Sequence, residues 1–348
     1  MARKIKTSGE ILARASSGSG SPTTSWQPAR KFPESYPGIC PDGHYLLSNG
    51  YVFPLIEREE DDQYDVLHES GEREAVDSFL TRIGVPSLAE RYPVLAYGAN
   101  RNPSTLETKF RNYGKPALAR DYCVPVFKGT LLGADVVACR LHGQGYFYGE
   151  LLVNSPFSAE TELDVRVGLV DVQQLRALND SEGLLEGLYS AARVPDIHIS
   201  GLRSPVEAIA YVTNARVWSS PKFGSPIGFS LIPATGRRFP AMTSRELMNH
   251  VLDVSELRSA VSSITGLAAD HTLAHELAKY LNGQWWYHFN TDDSPITGYS
   301  RILNLFDSVM AKNVLDSHTR DFLAEAGLLL GTDLAYEPGS SLRLGEMR

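Results

Sequence analysis

The sequence predicts an α+β protein built around a small mixed β-barrel, with an N-terminal extension and a helical C-terminal addition. Three observations predict this class. Between about residues 93 and 213, short apolar or alternating runs are broken by turn residues, which is typical of closely spaced strands. Few helical patterns interrupt these runs, so the regular alternation of a doubly wound sheet is missing and a barrel or strongly curled sheet is favoured. From about residue 243 onward, the apolar spacing becomes helical.

The chain of 348 residues is longer than one average domain, and its texture divides it into predicted parts. The first, rich in Ser, Gly, Pro and basic residues, is predicted to be a flexible tail, with an organelle transit peptide as the alternative. The second contains a hairpin turn of the Asn-Gly type and a helix ended by a glycine. The predicted parts are the tail at 1–35, the extension at 36–92, the barrel domain at 93–240 and the helical region at 241–348.

Composition and charge limit the classes of partner. The formal net charge is -8, and Lys and Arg are spread thinly, so no basic field for a nucleic acid is expected. No apolar stretch approaches the roughly 20 residues of a spanning helix, and no secretory signal is visible, so no membrane association and a cytoplasmic location are expected. Cys40, Cys123 and Cys139 lie far apart without CxxC spacing, which indicates neither a disulfide framework nor a zinc knuckle. The sequence does not indicate an oligomeric state.

The segment PVLAYGANRNPSTL, residues 93–106, predicts a strand that passes through a glycine turn into a helix. Gly98 allows a positive φ or a close approach of the backbone to a neighbour. Asn102 suits the N-cap of a helix whose first residue is Pro103. The backbone amides of Gly98 to Arg101, if left free at this turn, could bind a carboxylate or phosphate, because they point one way and the helix dipole adds positive potential. The alternative is an ordinary tight strand-helix connection.

A second segment, DVQQLRALNDSEGLLEGLY at residues 171–189, predicts a short helix followed by a break and a strand. Asp171 with Gln174 matches an N-terminal capping pair, and apolar residues then recur at helical spacing. Glu182 follows at the break, where a carboxylate could face the mouth of the barrel. Without further information, an exposed loop acid is the usual interpretation of such a glutamate.

Taken together, the two segments resemble the gamma-glutamylcyclotransferase (AIG2-like) family. The resemblance rests on YGAN at residues 97–100, LNDSEG at 178–183 and GLY at 187–189, in that order and with similar flanking strands. It covers about residues 94–225 and leaves both ends of the chain unexplained.

The resemblance implies a small mixed barrel of that type and an enzyme that cyclises a γ-glutamyl group to 5-oxoproline, releasing an amine. It implies no cofactor or metal, and a small-molecule γ-glutamyl substrate. The catalytic proton carrier would be Glu182. The turn would hold the substrate's α-carboxylate, and Tyr189 would either hydrogen-bond substrate or pack in the barrel. The substrate-binding residues implied in this way are Tyr97, Gly98, Ala99, Asn100 and Tyr189.

The sequence departs from the family pattern at several points. Ala99 stands where serine is usual, and Phe223 stands where a tyrosine would be expected. An additional strand-like segment, GYFYGELLVNSPFSAE, precedes the strand that leads to Glu182. These departures leave a different substrate, hydrolysis to glutamate, or a non-catalytic binding or regulatory protein on the same fold as alternatives.

Two further patterns carry less weight. His271 and His275 lie four residues apart on a predicted helix but lack a third ligand, so no metal site is predicted. The aromatic segment GQWWYHFN, residues 283–290, could line a pocket for an aromatic leaving amine or anchor the helical region on the barrel. The ordinary use of buried aromatic residues favours the anchor.

Overall fold

The structure, a computed structural model, describes residues 20–58, 63–114, 122–290, 297–315 and 319–330. It has a mixed α+β fold. Its strands are β1 (Ser21–Pro22), β2 (His44–Ser48), β3 (Tyr51–Glu57), β4 (Tyr64–Leu67), β5 (Arg73–Ala75), β6 (Tyr92–Ala96), β7 (Cys123–Leu132), β8 (Ala134–Leu141), β9 (Phe147–Val153), β10 (Glu162–Val170), β11 (Tyr189–Ile199), β12 (Val206–Thr213), β13 (Gly228–Phe229), β14 (Ala234–Thr235) and β15 (Ala241–Met242). Its helices are α1 (Val76–Ile83), α2 (Pro103–Tyr113), α3 (Val172–Ser181), α4 (Ser244–Val254), α5 (Arg258–Thr265), α6 (Leu273–Asn290), α7 (Thr297–Met310) and α8 (Thr319–Glu325).

Five of the strands close into a barrel. β6 pairs antiparallel with β10 and parallel with β12, and β12 continues through β11 to β7. β7 then pairs with β10 over seven residues from Glu162 to Gly168, which closes the ring. The prediction of an α+β protein with a mixed barrel is confirmed.

The N-terminal strands extend the barrel sheet. β2 and β3 form the predicted hairpin, with Asn49 at φ 46° and Gly50 at φ 89° in its turn. β2 also pairs with β7, so the sheet runs from the barrel through β2 and β3 to β5. The boundaries of the predicted parts stay a prediction, but no break in the sheet separates residues 36–92 from the barrel.

Part of the predicted flexible tail is packed. Residues 1–19 lie outside the described residues, whereas β1 pairs with β3 and Ala29 is only 1% exposed in the main core. The composition that predicted a tail is concentrated at residues 15–22. The following stretch to Tyr36 carries Trp, Phe and Pro residues whose apolar area is available for burial.

A smaller second sheet joins β8 and β9 with β13 and β15. β9 forms within the additional strand-like segment seen in the sequence, and this strand lies outside the barrel ring. The helices α4 to α8 form the predicted helical region. Thr243 caps α4 in a capping box with Glu246, as its sequence predicts.

The buried apolar side chains of the described residues form three clusters. The largest combines the N-terminal strands, the barrel and the C-terminal helices, and a second packs α2 and α3 against the barrel strands. Representative members of the largest cluster are Phe53, Phe79, Leu95, Val165, Leu277 and Phe306. Among the described residues, no helix is both long and apolar enough to cross a membrane.

Candidate functional site

The turn after β6 has the predicted helix start. Ala99–Arg101 form one 3-10 turn, and the Asn102 side chain accepts a hydrogen bond from the Thr105 amide at 2.9 Å. Pro103 occupies the first position of α2, where its missing N–H costs nothing. Gly98 has φ -112°, so a left-handed conformation does not explain it. A Cβ at Gly98 would lie 2.7 Å from the Tyr36 hydroxyl, and glycine is therefore required by close approach.

This turn leaves backbone donors unpaired. Within the described part of the chain, the amides of Gly98, Ala99 and Asn100 donate to no protein acceptor. The amides of Arg101 and Asn102 bond back to the turn, to Gly98 and Ala99. The free group is smaller by one residue than the predicted stretch to Arg101, since the 3-10 bond uses that amide.

Glu182 lies at the C-terminal end of α3. Asp171 starts this helix in a capping box with Gln174, and Glu182 is its C-cap residue. Because α2 and α3 pack side by side, the start of one helix and the end of the other lie together. The Asn100 Nδ2 donates to Glu182 Oε1 at 2.8 Å. The two segments that the sequence singled out therefore meet at one place.

The carboxylate of Glu182 is shielded and paired. Its side chain is 12% exposed, and Lys109 of α2 forms an ion pair with the same Oε1. A carboxylate accepts hydrogen bonds and cannot donate them, so the contact fixes Asn100 with its nitrogen toward Glu182. The other amide atom, Asn100 Oδ1, is buried and has no partner among the described residues. It is an unused acceptor beside the acid.

All predicted site residues line one cavity of about 570 Å³. This volume lies within the usual range for small-molecule sites. Tyr97 donates its hydroxyl hydrogen to the Tyr211 carbonyl, which ties the turn to β12. Tyr189 lies half-buried on the wall, where burial and the charge of Glu182 raise the pKa of its hydroxyl. The cavity-lining residues among those predicted are Tyr97, Gly98, Ala99, Asn100, Glu182 and Tyr189.

Aromatic rings form another wall of the cavity. His142 stacks on Tyr146 with ring centroids 4.8 Å apart, and Tyr146 stacks on Tyr36 at 5.1 Å. Trp285 of α6 lies 5.2 Å from His142 and lines the cavity. One tryptophan of GQWWYHFN thus lines the cavity, which is the interpretation of this segment that the sequence favoured less. Burial, with the charges of Lys109 and Arg140, lowers the pKa of His142 to about 4, so this ring is neutral near pH 7.

The sequence interpretation missed several residues of this cavity. Arg30, Tyr36 and Trp285 come from segments far from the motifs, and no local signal in the sequence connects them to the barrel mouth. Lys109 could have been found, because it lies two helical turns beyond Asn102 on α2. Phe223, by contrast, is 41% exposed and stacks on His250 at 5.1 Å, away from the cavity. His275 contacts Glu34 at 2.8 Å.

Comparisons with known proteins give a distant similarity at the level of the fold. A solved structure titled gamma-glutamyl cyclotransferase matches 62% of this chain and 99% of its own, with 12% sequence identity and a TM-score of 0.28. The crystal structure of an uncharacterized human protein covers the same shares, with 14% identity and a TM-score of 0.27. No protein-family model and no curated protein sequence matches the chain.

Proposed function

We propose that the protein is a gamma-glutamylcyclotransferase. It would convert the γ-glutamyl group of a γ-glutamyl amine, amino acid or peptide to 5-oxoproline and release the free amine. The observation that supports this most directly is the 2.8 Å contact between Asn100 and Glu182 at a turn with unpaired amides. A cytoplasmic location, and action without a metal, nucleic-acid or membrane partner, are part of the same proposal.

The unpaired groups complement a γ-glutamyl substrate. Such a substrate carries a carboxylate and an ammonium on one carbon atom. The free amides of Gly98 to Asn100 suit the carboxylate, because they lie at the start of α2, where the helix dipole is positive. Glu182 and the unpaired Asn100 Oδ1 are acceptors that suit the ammonium.

The reaction needs one proton carrier. Glu182 takes a proton from the substrate ammonium, and the amine nitrogen then attacks the γ-carbonyl carbon. A new C–N bond closes the five-membered ring, Glu182 gives its proton to the leaving nitrogen, and the original amide C–N bond breaks. The ring nitrogen then loses its second proton through Glu182, so that the lactam is neutral and the released amine departs as an ammonium ion. No water is consumed. Lys109 keeps the carboxylate directed into the cavity before substrate arrives.

Positioning supplies a large part of the rate in this mechanism. The nucleophile already belongs to the substrate, so holding the γ-glutamyl group in a folded conformation brings amine and carbonyl to reacting distance.

The test is the product formed by recombinant protein from a panel of γ-glutamyl amides, with 5-oxoproline and glutamate separated by chromatography. We expect 5-oxoproline, and we expect Glu182→Gln to lower its formation by ~100-fold or more while the protein stays folded. Glu186→Gln is the matched control. Because Glu186 is an exposed carboxylate four residues away, this substitution should leave the rate of 5-oxoproline formation unchanged. Glutamate as the product would indicate hydrolysis instead.

A binding protein without catalysis is the second candidate, and the Lys109 ion pair is the observation that favours it. The pair neutralises Glu182 in the absence of substrate. Tight binding of γ-glutamyl compounds without turnover, together with indifference to Glu182→Gln, would support that candidate. If the protein neither binds nor converts γ-glutamyl compounds, the proposed function is wrong.

A further inference from the structure

Arg30 brings an unpaired cation to the cavity. Its side chain lines the cavity and is half-buried. Its Nε is buried without a hydrogen-bond partner, and no carboxylate of the described residues lies within ion-pair distance of its guanidinium. Burial lowers the pKa of Arg30 more than the nearby Glu107 and Tyr146 raise it. The guanidinium is thus partly desolvated without a matching counter-charge.

The charged groups near Arg30 and along the cavity wall are bound to other partners. Glu107, the nearest acid, accepts from Thr23 through Oε2 and from Arg111 through Oε1 at 2.8 Å. The other cations of the cavity wall have partners of their own. Lys109 pairs with Glu182, and Arg140 binds Asp307 with two hydrogen bonds.

A half-buried guanidinium without an acid is costly unless a ligand supplies the anion. Removing a charge from water is unfavourable, and pairing it with a carboxylate recovers part of that cost. The planar fork of Arg matches the two oxygens of a carboxylate. The cavity therefore has a place for an anion in addition to the unpaired amides of the turn.

Arg30 lines the same cavity as the acid at the turn, and Tyr146 is a neighbour of both. The charge of Glu107 acts on Arg30, and the charges of Glu182 and Arg30 both act on the neutral Tyr146 hydroxyl. Tyr146 also stacks within the aromatic wall with Tyr36 and His142. A substrate whose γ-glutamyl end occupies the turn would extend its leaving group along these rings toward Arg30.

We propose that Arg30 binds a carboxylate on the leaving group, so that the substrates are γ-glutamyl amino acids or peptides rather than simple γ-glutamyl amines. This inference rests on the proposed function, because it assigns the other end of the same substrate. The aromatic wall between the two anion sites would favour an apolar or aromatic side chain on the leaving residue.

The test uses two compounds that differ only in that carboxylate, γ-glutamyl-phenylalanine and γ-glutamyl-phenethylamine. We expect wild-type protein to process the first with a kcat/KM at least ~10-fold higher. Arg30→Met keeps the apolar stem but removes the cation, and it should lower kcat/KM for the first compound by about 10- to 100-fold. The same variant should leave the second compound within about twofold.

Two controls separate a specific role from a general one. Arg73→Met removes an exposed arginine on β5, outside the cavity, and should change neither compound. Arg30→Lys keeps the charge without the planar fork and should retain an intermediate preference. A wild-type preference for phenethylamine, or an equal loss on both compounds in Arg30→Met, would overturn the inference.

Failure of the proposed function gives a different result. If neither compound yields 5-oxoproline, calorimetric binding of the same two compounds to wild type and Arg30→Met decides the inference alone. Tighter binding of γ-glutamyl-phenylalanine, lost in Arg30→Met, would support it. Equal affinities, or no binding of either compound, would overturn it.

Discussion

At the scale of single residues, desolvation determines which groups around the cavity carry charge. Glu150 of β9 is fully buried, and its Oε2 accepts from the Thr213 amide at 2.9 Å. Burial raises the pKa of Glu150 well above its usual range, so the side chain favours the neutral acid. Burial has the corresponding effect on His142, a base, because it lowers the pKa and so favours the neutral ring. Glu182 differs from both, since its shielded side chain forms an ion pair with Lys109.

His142 gives a pH-dependent contribution to stability with a defined sign. Its pKa in the folded protein is about 4, against about 6.5 when unfolded, so between these values the unfolded chain binds more protons. Stability from this residue is complete above pH 6.5 and decreases as the pH falls toward 4. The free energy of unfolding of wild type minus that of His142→Gln should therefore be about 2 kcal/mol lower at pH 5 than at pH 7.5.

Urea unfolding at pH 7.5 and pH 5 measures this difference. Subtraction of the variant matters, because His44 also has a pKa of about 4 and Glu150 contributes with the opposite sign. A difference between wild type and His142→Gln that stays constant with pH would contradict the prediction.

At the scale of elements, both local and long-range contacts position the site between the β6–α2 turn and the end of α3. Caps at Asn102 and Asp171 fix where the helices begin, and both caps are local. The approach of the turn to Tyr36 is not local, because it joins residues more than sixty positions apart. The Tyr36 hydroxyl accepts from the Gly149 amide at 2.8 Å, which holds it against Gly98.

A double-mutant cycle tests that contact. In Gly98→Ala, the new Cβ would meet the Tyr36 oxygen at 2.7 Å, and we expect a loss of about 1–3 kcal/mol from the strain. In the Tyr36→Phe background the oxygen is absent and the next ring atom is 3.8 Å away, so most of that loss should disappear. Gly43→Ala is the control, since its Cβ would meet nothing within 4 Å. Additive effects of the two substitutions on the free energy of unfolding would refute the contact.

The same distinction explains how much of the site could be predicted. The YGAN turn, the α3 break and Glu182 are encoded within short windows by caps, glycines and apolar spacing. Predicting that these segments meet required the family resemblance, since spacing along the chain does not give distances between elements. The sequence did not predict Arg30, Tyr36 and Trp285 as site residues, because only tertiary packing brings them to the cavity. The prediction of a flexible tail over residues 1–35 missed the buried apolar groups among the residues after 22.

At the scale of the whole molecule, the cavity is assembled from every part of the chain. Arg30 and Tyr36 precede the barrel, the turn and Glu182 belong to it, and Trp285 comes from the helical region. Glu34 further joins the N-terminal segment to the helices through ion pairs with Arg245 and His275. A site built this way requires that these parts fold together. The largest core cluster joins the N-terminal strands, the barrel and the C-terminal helices, which is consistent with that requirement.

Cooperativity can be tested in α7. Phe306 is fully buried and its ring lies 6.2 Å from that of Phe147 in β9, so Phe306→Ala leaves a cavity between the helices and the second sheet. We expect a loss of about 3–5 kcal/mol and one unfolding transition, with far-UV circular dichroism and tryptophan emission coinciding along the denaturant axis. Leu132→Ala, at a side chain that is 62% exposed, should cost less than about 1 kcal/mol. If instead the helical signal disappeared at lower denaturant than the tryptophan signal, the helices would be a separate unit, and Trp285 could leave the cavity without unfolding of the barrel.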